Sequence, residues 1–355
     1  MIQKILVTGA SGFIGSFIVE EALKRGFEVW AAMRRSSSRQ FLTDERIHFI
    51  ELNLSSEEQL KEQLAGHAFD YVVHAAGVTK CLDKQDFFRI NTEGTKNLVR
   101  ALMATQPSQG VTAGSASSHQ HPLRRFVYIS SLSIMGAIRE QQPYTEILET
   151  DDPHPNTAYG QSKLEAERWL ANLPLSSEGV GGRLFPYVIL RPTGVYGPRE
   201  RDYFMMAKSI KAHSDFAVGY RQQDITFVYV SDVVQAVFLA IEKGETGRAY
   251  FLSDGEVYQS STFSNLIRKE LGNPWWIRIT APIWVLRIVT FCGEYVGRLT
   301  GKVTALNNDK YHILRQRNWR CDIGPARREL GYEPQVKLDE GVRRSIKWYK
   351  ENKWL

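Results

Sequence analysis

Tyr159-Gly160-Gln161-Ser162-Lys163 sets a phenol and an ammonium four positions apart, which is one turn along the same face of a helix. A tyrosine with a solution pKa of about 10 is a poor base at neutral pH. A neighbouring cation stabilises the phenolate and brings the group toward the working range. The pair could therefore exchange a proton with a substrate oxygen. Spacing alone is weak, since Tyr349 and Lys353 repeat it near the C-terminus. Context separates the first copy: Ser130-Ser131-Leu132-Ser133 follows the apolar run 126–129, and Ser131 lies 28 residues before Tyr159. Hydroxyls emerging at the C-terminal end of a parallel strand stand where open α/β sheets bind ligands.

Residues 8–15 read Thr8-Gly9-Ala10-Ser11-Gly12-Phe13-Ile14-Gly15, between a strand-like run and a helix-like one. Glycines at this spacing permit a tight turn, bring backbone N–H groups close to a pyrophosphate and let the helix pack on the strand. A plain strand-to-helix turn would not require three of them. The loop is thus expected to hold a dinucleotide through Gly9, Ser11, Gly12, Phe13, Ile14 and Gly15. The second strand runs out through Ala31-Ala32-Met33 into Arg34 and Arg35 with no carboxylate. A carboxylate there would accept from the ribose hydroxyls of NAD, whereas a guanidinium engages phosphate oxygens in pairs. NADP(H), read by Arg34, is favoured over NAD(H), which stays possible.

These groups need a frame. Over the first 190 residues short β-branched runs (4–8, 27–32, 47–51, 71–74, 126–130, 187–191) alternate with helical patterns (13–25, 56–65, 86–105, 159–171), the rhythm of a parallel sheet covered on both faces. Segments 107–122 and 174–182 lack an apolar period and read as insertions. Past Pro198 the rhythm changes. Runs 225–230 and 249–252 are expected as one more sheet-like pair around a helix that Asp232 caps or begins. Segments 199–224 and 255–320 read as a smaller, mostly helical substrate domain. In the closing stretch 321–355, Val342, Ile346 and Tyr349 recur at helical spacing, with Arg343, Arg344 and Lys347 expected outside. The fold class is α/β, a Rossmann-like doubly wound parallel sheet over 1–198, with 225–252 returning to it.

With 43% hydrophobic, 24% charged and 11% aromatic residues in 355, the chain can bury a large core and is not a disordered one. The net charge is +6, and residues 311–355, with eleven Lys or Arg against six Asp or Glu, carry +5 of it. That localisation argues against a nucleic-acid partner. Cys81, Cys292 and Cys321 are scattered without CxxC spacing, so neither a disulfide scaffold nor a zinc site is expected. His119 and His121 have no further ligands at workable spacing. The start of the chain shows no secretory pattern, which places it in the cytoplasm by expectation. Segment 275–299 is rich in Trp, Ile and Val, but its longest uncharged run, 279–286, is eight residues. A bilayer span needs about 20. The segment is expected to close an apolar cavity or cover the core, and membrane contact is not expected.

The chain resembles the extended short-chain dehydrogenases/reductases, also described as the NAD-dependent epimerase/dehydratase family. The matching pieces are TGASGFIG at 8–15, HAAG at 74–77, NTEGT at 91–95, FVYISSLSIMG at 126–136, YGQSK at 159–163, RPTGVYGP at 191–198 and FVYVSDV at 227–233. They stand in the family's order over about two-thirds of the chain. The resemblance implies Tyr159 as general acid/base, Lys163 bridging Tyr159 and the nicotinamide ribose, and Ser131 as the hydroxyl that orients substrate, with Ser130 and Ser133 as neighbours. It further implies Ala75, Ala76 and Gly77 along the cofactor, Asn91 as support for the fourth strand, and Pro192 and Thr193 beside the nicotinamide. Three departures matter. Asn53-Leu54 replaces the usual adenine-contacting Asp, although the amide carbonyl can still accept from adenine. Leu132-Ser133 stands where sugar dehydratases carry an Asp-Glu pair, and Thr193-Gly194 where nucleotide-sugar members often carry an Asn.

The expected activity is reversible hydride transfer between a nicotinamide and a secondary alcohol or ketone. The alternatives are a nucleotide-sugar epimerase with transient oxidation by bound NAD, and a non-catalytic NADP(H)-sensing protein. The expected partner is a small molecule, and a homodimer is possible by family analogy.

Overall fold

The computed structural model describes residues 2–105, 122–173, 185–301 and 307–355. The insertion expected at 107–122, apart from Pro122, and the one expected at 174–182 lie outside them, with His119 and His121. The first half alternates as read: β1 (Lys4–Thr8), α1 (Phe13–Lys24), β2 (Glu28–Met33), β3 (His48–Glu51), α2 (Glu57–Leu64), β4 (Tyr71–His74) and α3 (Lys84–Phe87). A π turn at Phe88–Glu93 carries α3 into α4 (Gly94–Thr105), and β5 (Arg125–Ile129), α5 (Ala158–Ala171) and β6 (Tyr187–Pro192) follow. Beyond lie β7 (Gly194–Tyr196), α6 (Arg201–Lys211), β8 (Ser214–Val218), β9 (Asp224–Ile225), β10 (Phe227–Tyr229), α7 (Val230–Lys243) and β11 (Ala249–Leu252). The chain closes with β12 (Tyr258–Gln259), α8 (Thr262–Glu270), β13 (Ile277–Ala281), α9 (Ile283–Thr300), α10 (Asn308–Arg315) and α11 (Leu338–Glu351).

Seven strands form one parallel sheet in the order β11-β6-β5-β4-β1-β2-β3. A parallel sheet is covered on both faces, so its strands are apolar throughout rather than alternating; all four residues of β4 are buried. Successive side chains nevertheless serve opposite layers. Ile5, Val7, Val73 and Val127 pack with Ile18 of α1 and Val237 of α7. Leu6, Val72, Phe126 and Tyr128 pack with Leu60, Leu98 and Ala166 of α2, α4 and α5. The strand order reverses between β1 and β4, and such a reversal opens a crevice at the C-terminal strand ends. Thr8 and His74 end those two strands.

The second half departs from expectation in three places. Segments 225–230 and 249–252 do not form a pair: β11 joins the large sheet beside β6, whereas β10 pairs with β7 in a separate two-stranded sheet. Pro192 ends β6 without an N–H to extend the ladder, and the chain resumes one residue later as β7. Asp232 sits in the first turn of α7 but caps nothing there; its carboxylate accepts from the backbone N–H groups of Gln335 and Val336, each at 3.1 Å. Segment 275–299 does not cover the core. Among its described side chains Leu286 and Thr290 are buried, whereas Trp284, Phe291 and Leu299 are 67%, 72% and 70% exposed. α11 behaves as read, burying Val342, Ile346 and Tyr349 with Tyr196, Phe227 and Phe263, and leaving Arg343, Arg344 and Lys347 outside.

Candidate functional site

The glycine loop is shaped by close approach. Gly9 has φ +68°, and a Cβ there would lie 2.7 Å from Ala76 N and 2.8 Å from the Ala75 carbonyl. A Cβ on Gly15 would stand 2.1 Å from Gly9 O, and the turn closes with Gly12 N–H donating to Gly9 O at 2.9 Å. The loop therefore lies directly on segment 75–77. No side chain caps the first turn of α1, so its N–H groups face outward from a helix N-terminus, the arrangement that binds anions. Beneath, Thr8 Oγ1 pairs with His74 Nδ1 at 2.7 Å and His74 Nε2 with Thr95 Oγ1 at 2.9 Å. Burial pushes His74 down to about 3, with the Lys163 charge acting the same way, so the ring is a neutral strut between strand ends.

A cleft of about 380 Å³ opens from Ser11, Gly12 and Phe13 toward Lys80, Arg199 and Trp354. Arg199, which the sequence reading did not single out, donates to Ser16 Oγ at 2.9 Å and Glu20 at 2.5 Å and lies over the Phe17 and Phe41 rings. Its signal was an arginine two residues after a glycine-ended turn, which is too common to stand out. Arg34 follows β2 immediately and is exposed. Asn53 Oδ1 accepts from Ser55 N–H and O–H at 3.1 and 2.7 Å, and its Nδ2 donates to Gln59. Leu54 lies 3.4 Å from where a Cβ on Gly94 would stand.

The proton-handling groups come from β5 and α5. Thr157 caps α5, its hydroxyl accepting from Gly160 N–H at 3.0 Å. Asp309 of α10 accepts from Ala158 N–H at 3.3 Å and Tyr159 N–H at 3.2 Å. The three otherwise orphaned donors of that first turn are thus all met. Burial pushes the Tyr159 phenol up to about 12, and the nearby Ser131 hydroxyl pulls the other way. The Ser131 hydroxyl in turn accepts from Ser133 N–H and donates to Ser133 Oγ, both at 3.1 Å. Ser130 is 3% exposed, and Ser131 is the serine that acts on the Tyr159 phenol.

Lys163 is 4% exposed, donates to Ile129 O at 2.9 Å and stands 4.8 Å over the Tyr128 ring. Burial brings its ammonium down to about 8, and Glu167 opposes that fall. Burial governs the Tyr159 phenol. A Cβ on Gly77 would lie 3.0 Å from Asn91 Oδ1 and 3.3 Å from Lys163 Nζ, so segment 75–77 touches the glycine loop on one side and the lysine on the other.

Asn91 joins these parts. Its amide exchanges hydrogen bonds with Val78 N and O at 2.8 and 3.1 Å and donates to Ser162 Oγ at 3.0 Å. It sits in the π turn, a device frequent at functional sites. Glu167 of α5 makes a forked ion pair with Arg191 of β6, the closest contact being 2.6 Å. Arg191 precedes Pro192 and Thr193, so the pair ties the helix of Tyr159 to that strand end. Thr193 Oγ1 lies 2.9 Å from both Thr226 O and Thr226 Oγ1, which engages its hydroxyl within the protein. The structure brings Gly9, Gly15, Ala75, Ala76, Gly77, Lys163, Tyr159 and Ser131 into one connected surface. Arg34 follows β2, which pairs with β1, and Asn53 lies two residues beyond β3.

Comparison with known proteins follows from this geometry. The model of the NAD-dependent epimerase/dehydratase family matches residues 5–253. A ketoreductase of Stigmatella aurantiaca, named for 4-hydroxy-2-methyl-3-oxo-4-farnesyl-3,4-dihydroquinoline-1-oxide, is 26% identical across 96% of this chain and 95% of its own. The UDP-glucose 4-epimerase of Vibrio cholerae is 26% identical across 97% and 95%. Among solved structures, a dTDP-glucose 4,6-dehydratase of Streptomyces venezuelae with NAD bound superimposes with a TM-score of 0.75 over 99% of this chain and 98% of its own, at 20% identity. The last shows a shared fold.

Proposed function

Because the chain belongs to the NAD-dependent epimerase/dehydratase family, we propose that this enzyme interconverts a secondary alcohol and a ketone, with Ser131, Tyr159 and Lys163 handling the proton. The bound dinucleotide supplies or accepts the hydride. The observation that carries the reading is the meeting of a protonated phenol, the Ser131 hydroxyl that acts on it and a buried ammonium beside Gly77.

In the reducing direction Ser131 and Tyr159 hydrogen-bond the carbonyl oxygen, and Tyr159 delivers its proton as that oxygen gains charge. A phenol held near 12 is protonated at neutral pH and ready to donate. The phenolate left behind is offset by Lys163, whose buried position makes the charge act strongly. In the oxidising direction the same groups work in reverse. Gly9, Ser11, Gly12, Phe13, Ile14 and Gly15 would cradle the pyrophosphate, Asn53 and Leu54 flank the adenine, and Ala75, Ala76, Gly77, Pro192 and Thr193 line the path to the nicotinamide. Arg34, in no ion pair among the described residues, supports NADP(H) over NAD(H). Segments 199–224 and 255–320 would supply the substrate contacts, and the 3-oxo substrate and ketoreductase activity in the name of the Stigmatella relative support a ketone as the reacting group.

The test is stoichiometry: nicotinamide absorbance is followed against product formed. One cofactor oxidised per ketone reduced supports the reading. Turnover without net change would make the enzyme an epimerase, which the Vibrio relative keeps as the second reading.

A further inference from the structure

The chemistry above gives Arg199 no part, yet its backbone sets it apart. With φ +71° it stands in the left-handed region, where a Cβ is crowded and Gly or Asn is the usual occupant. Another residue persists there only when its surroundings over-determine it, and such strain collects at clamps and binding sites. Here the side chain supplies the determination. Its guanidinium lies over two rings, 4.2 Å from the Phe17 centroid and 4.6 Å from the Phe41 centroid. Nη1 donates to Ser16 Oγ and Nη2 to Glu20. Ser16, Phe17 and Glu20 belong to α1, the helix that the glycine loop opens, whereas Phe41 belongs to the stretch 34–47 between β2 and β3.

That stretch contains neither helix nor strand, so side chains must hold it. Leu42 is buried in the core that α1 shares. The Arg39 guanidinium lies 4.0 Å from the Phe49 ring centroid on β3. Phe41 meets Arg199 on one side and the Trp348 ring of α11 edge-on, with 6.2 Å between centroids. Arg34 and Arg35 open the stretch and are exposed, so where their charges stand follows from these anchors. Of the partners, Arg199 also lines the cleft at Ser11, Gly12 and Phe13. It therefore joins the arginine-bearing stretch to the helix whose N-terminus faces the dinucleotide.

We propose that Arg199 is a positioning residue, which clamps the stretch 34–47 against α1 and so sets the preference for NADP(H) without touching the cofactor. The role rests on the reading above, in which Arg34 engages the adenosine phosphate. Direct contact with that phosphate fits Arg199 less well. Two of its nitrogens are committed to Ser16 and Glu20, and the third, Nε, is buried with no acceptor among the described residues. The Glu20 carboxylate also offsets its charge. The residue type suits a clamp, because a planar guanidinium stacks on aromatic faces while its edge keeps its hydrogen bonds, which an ammonium cannot do.

The test compares Arg199→Asn, whose backbone accepts the left-handed region, with Phe41→Leu, which keeps the Glu20 ion pair and decides alone where Arg199→Asn does not fold. Dissociation constants of NADPH and NADH are measured by fluorescence titration for both, for Arg34→Ala and for the Arg34→Ala/Arg199→Asn double variant. The preference for NADPH over NADH should fall roughly tenfold in Arg199→Asn and Phe41→Leu, and the double variant should be no worse than Arg34→Ala, as for residues acting through one another. Trypsin gives a readout without cofactor: fragments ending at Arg34, Arg35 or Arg39 should form faster from both variants, since local opening exposes those bonds. An unchanged preference, or unchanged cleavage of the stretch, would overturn the proposal. So would losses from both single variants that add in the double, since Arg199 would then meet the cofactor itself. If Arg34→Ala keeps the preference and Arg199→Asn loses it, the clamp stands and the reading of Arg34 fails.

Discussion

Asp309 holds the N-terminus of the helix that carries Tyr159: its carboxylate accepts from the Ala158 and Tyr159 N–H groups, across 150 residues of sequence for the latter. A carboxylate at a helix N-terminus also meets the positive end of the helix dipole. Asp309→Ala should therefore lower stability by about 1 kcal/mol, the usual effect of losing such a cap, and lower kcat with little change in cofactor affinity. Asp309→Asn, which keeps one acceptor oxygen, should recover most of the loss. Melting curves and steady-state kinetics on the two variants check this.

Lys163 gives the reaction a pH limit. Its ammonium, held near 8 by burial, is a cation below that pH and neutral above it. The charge that offsets the Tyr159 phenolate is thus lost as pH rises, and kcat/KM for ketone reduction should fall above about 8, since that parameter reports the free enzyme. Glu167 raises the lysine's value. Glu167→Gln should therefore move the falling limb to lower pH. A limb that stays in place would remove Glu167 from the account.

The cofactor preference rests on Arg34. A charge-assisted pair of hydrogen bonds to a phosphate amounts to about 1.5–3 kcal/mol. Arg34→Ala should weaken NADPH binding roughly 10- to 100-fold and leave NADH nearly unchanged, measured by fluorescence titration of each. Equal losses would show that Arg34 does not read the phosphate.

His74 should make the fold acid-sensitive. Its value drops from 6.5 in the ordinary state to about 3 in the folded one, so the neutral ring contributes stability above 6.5 that is lost as pH falls toward 3. By pH 4 the loss is on the order of 3 kcal/mol. Urea unfolding at pH 7 and pH 4 should show a smaller difference in His74→Gln than in the parent.

Where residues close in sequence decide the structure, the chain could be read directly. β1 and β4 have the bounds that their apolar runs suggested, and the glycine loop follows from a positive φ at Gly9 that an L side chain resists. Tyr159, Lys163 and Ser131 sit on adjacent elements as their spacing implied. What stayed hidden depends on distant partners. The Asp309 cap, the Thr193–Thr226 contact and the docking of Asp232 on Gln335 each need the tertiary fold, and no local pattern marks them. α9 shows the limit most plainly: the composition of segment 275–299 marked it as apolar, but composition does not say which side meets the core.

The central claim is that Tyr159 delivers the proton. Tyr159→Phe keeps the ring and removes the hydroxyl, and the rate of ketone-dependent NADPH oxidation by this variant tests the claim most directly. Loss of general acid catalysis should lower kcat by roughly 10²- to 10⁴-fold, with NADPH affinity within a few-fold of the parent. A variant that turns over at the parent rate would contradict it.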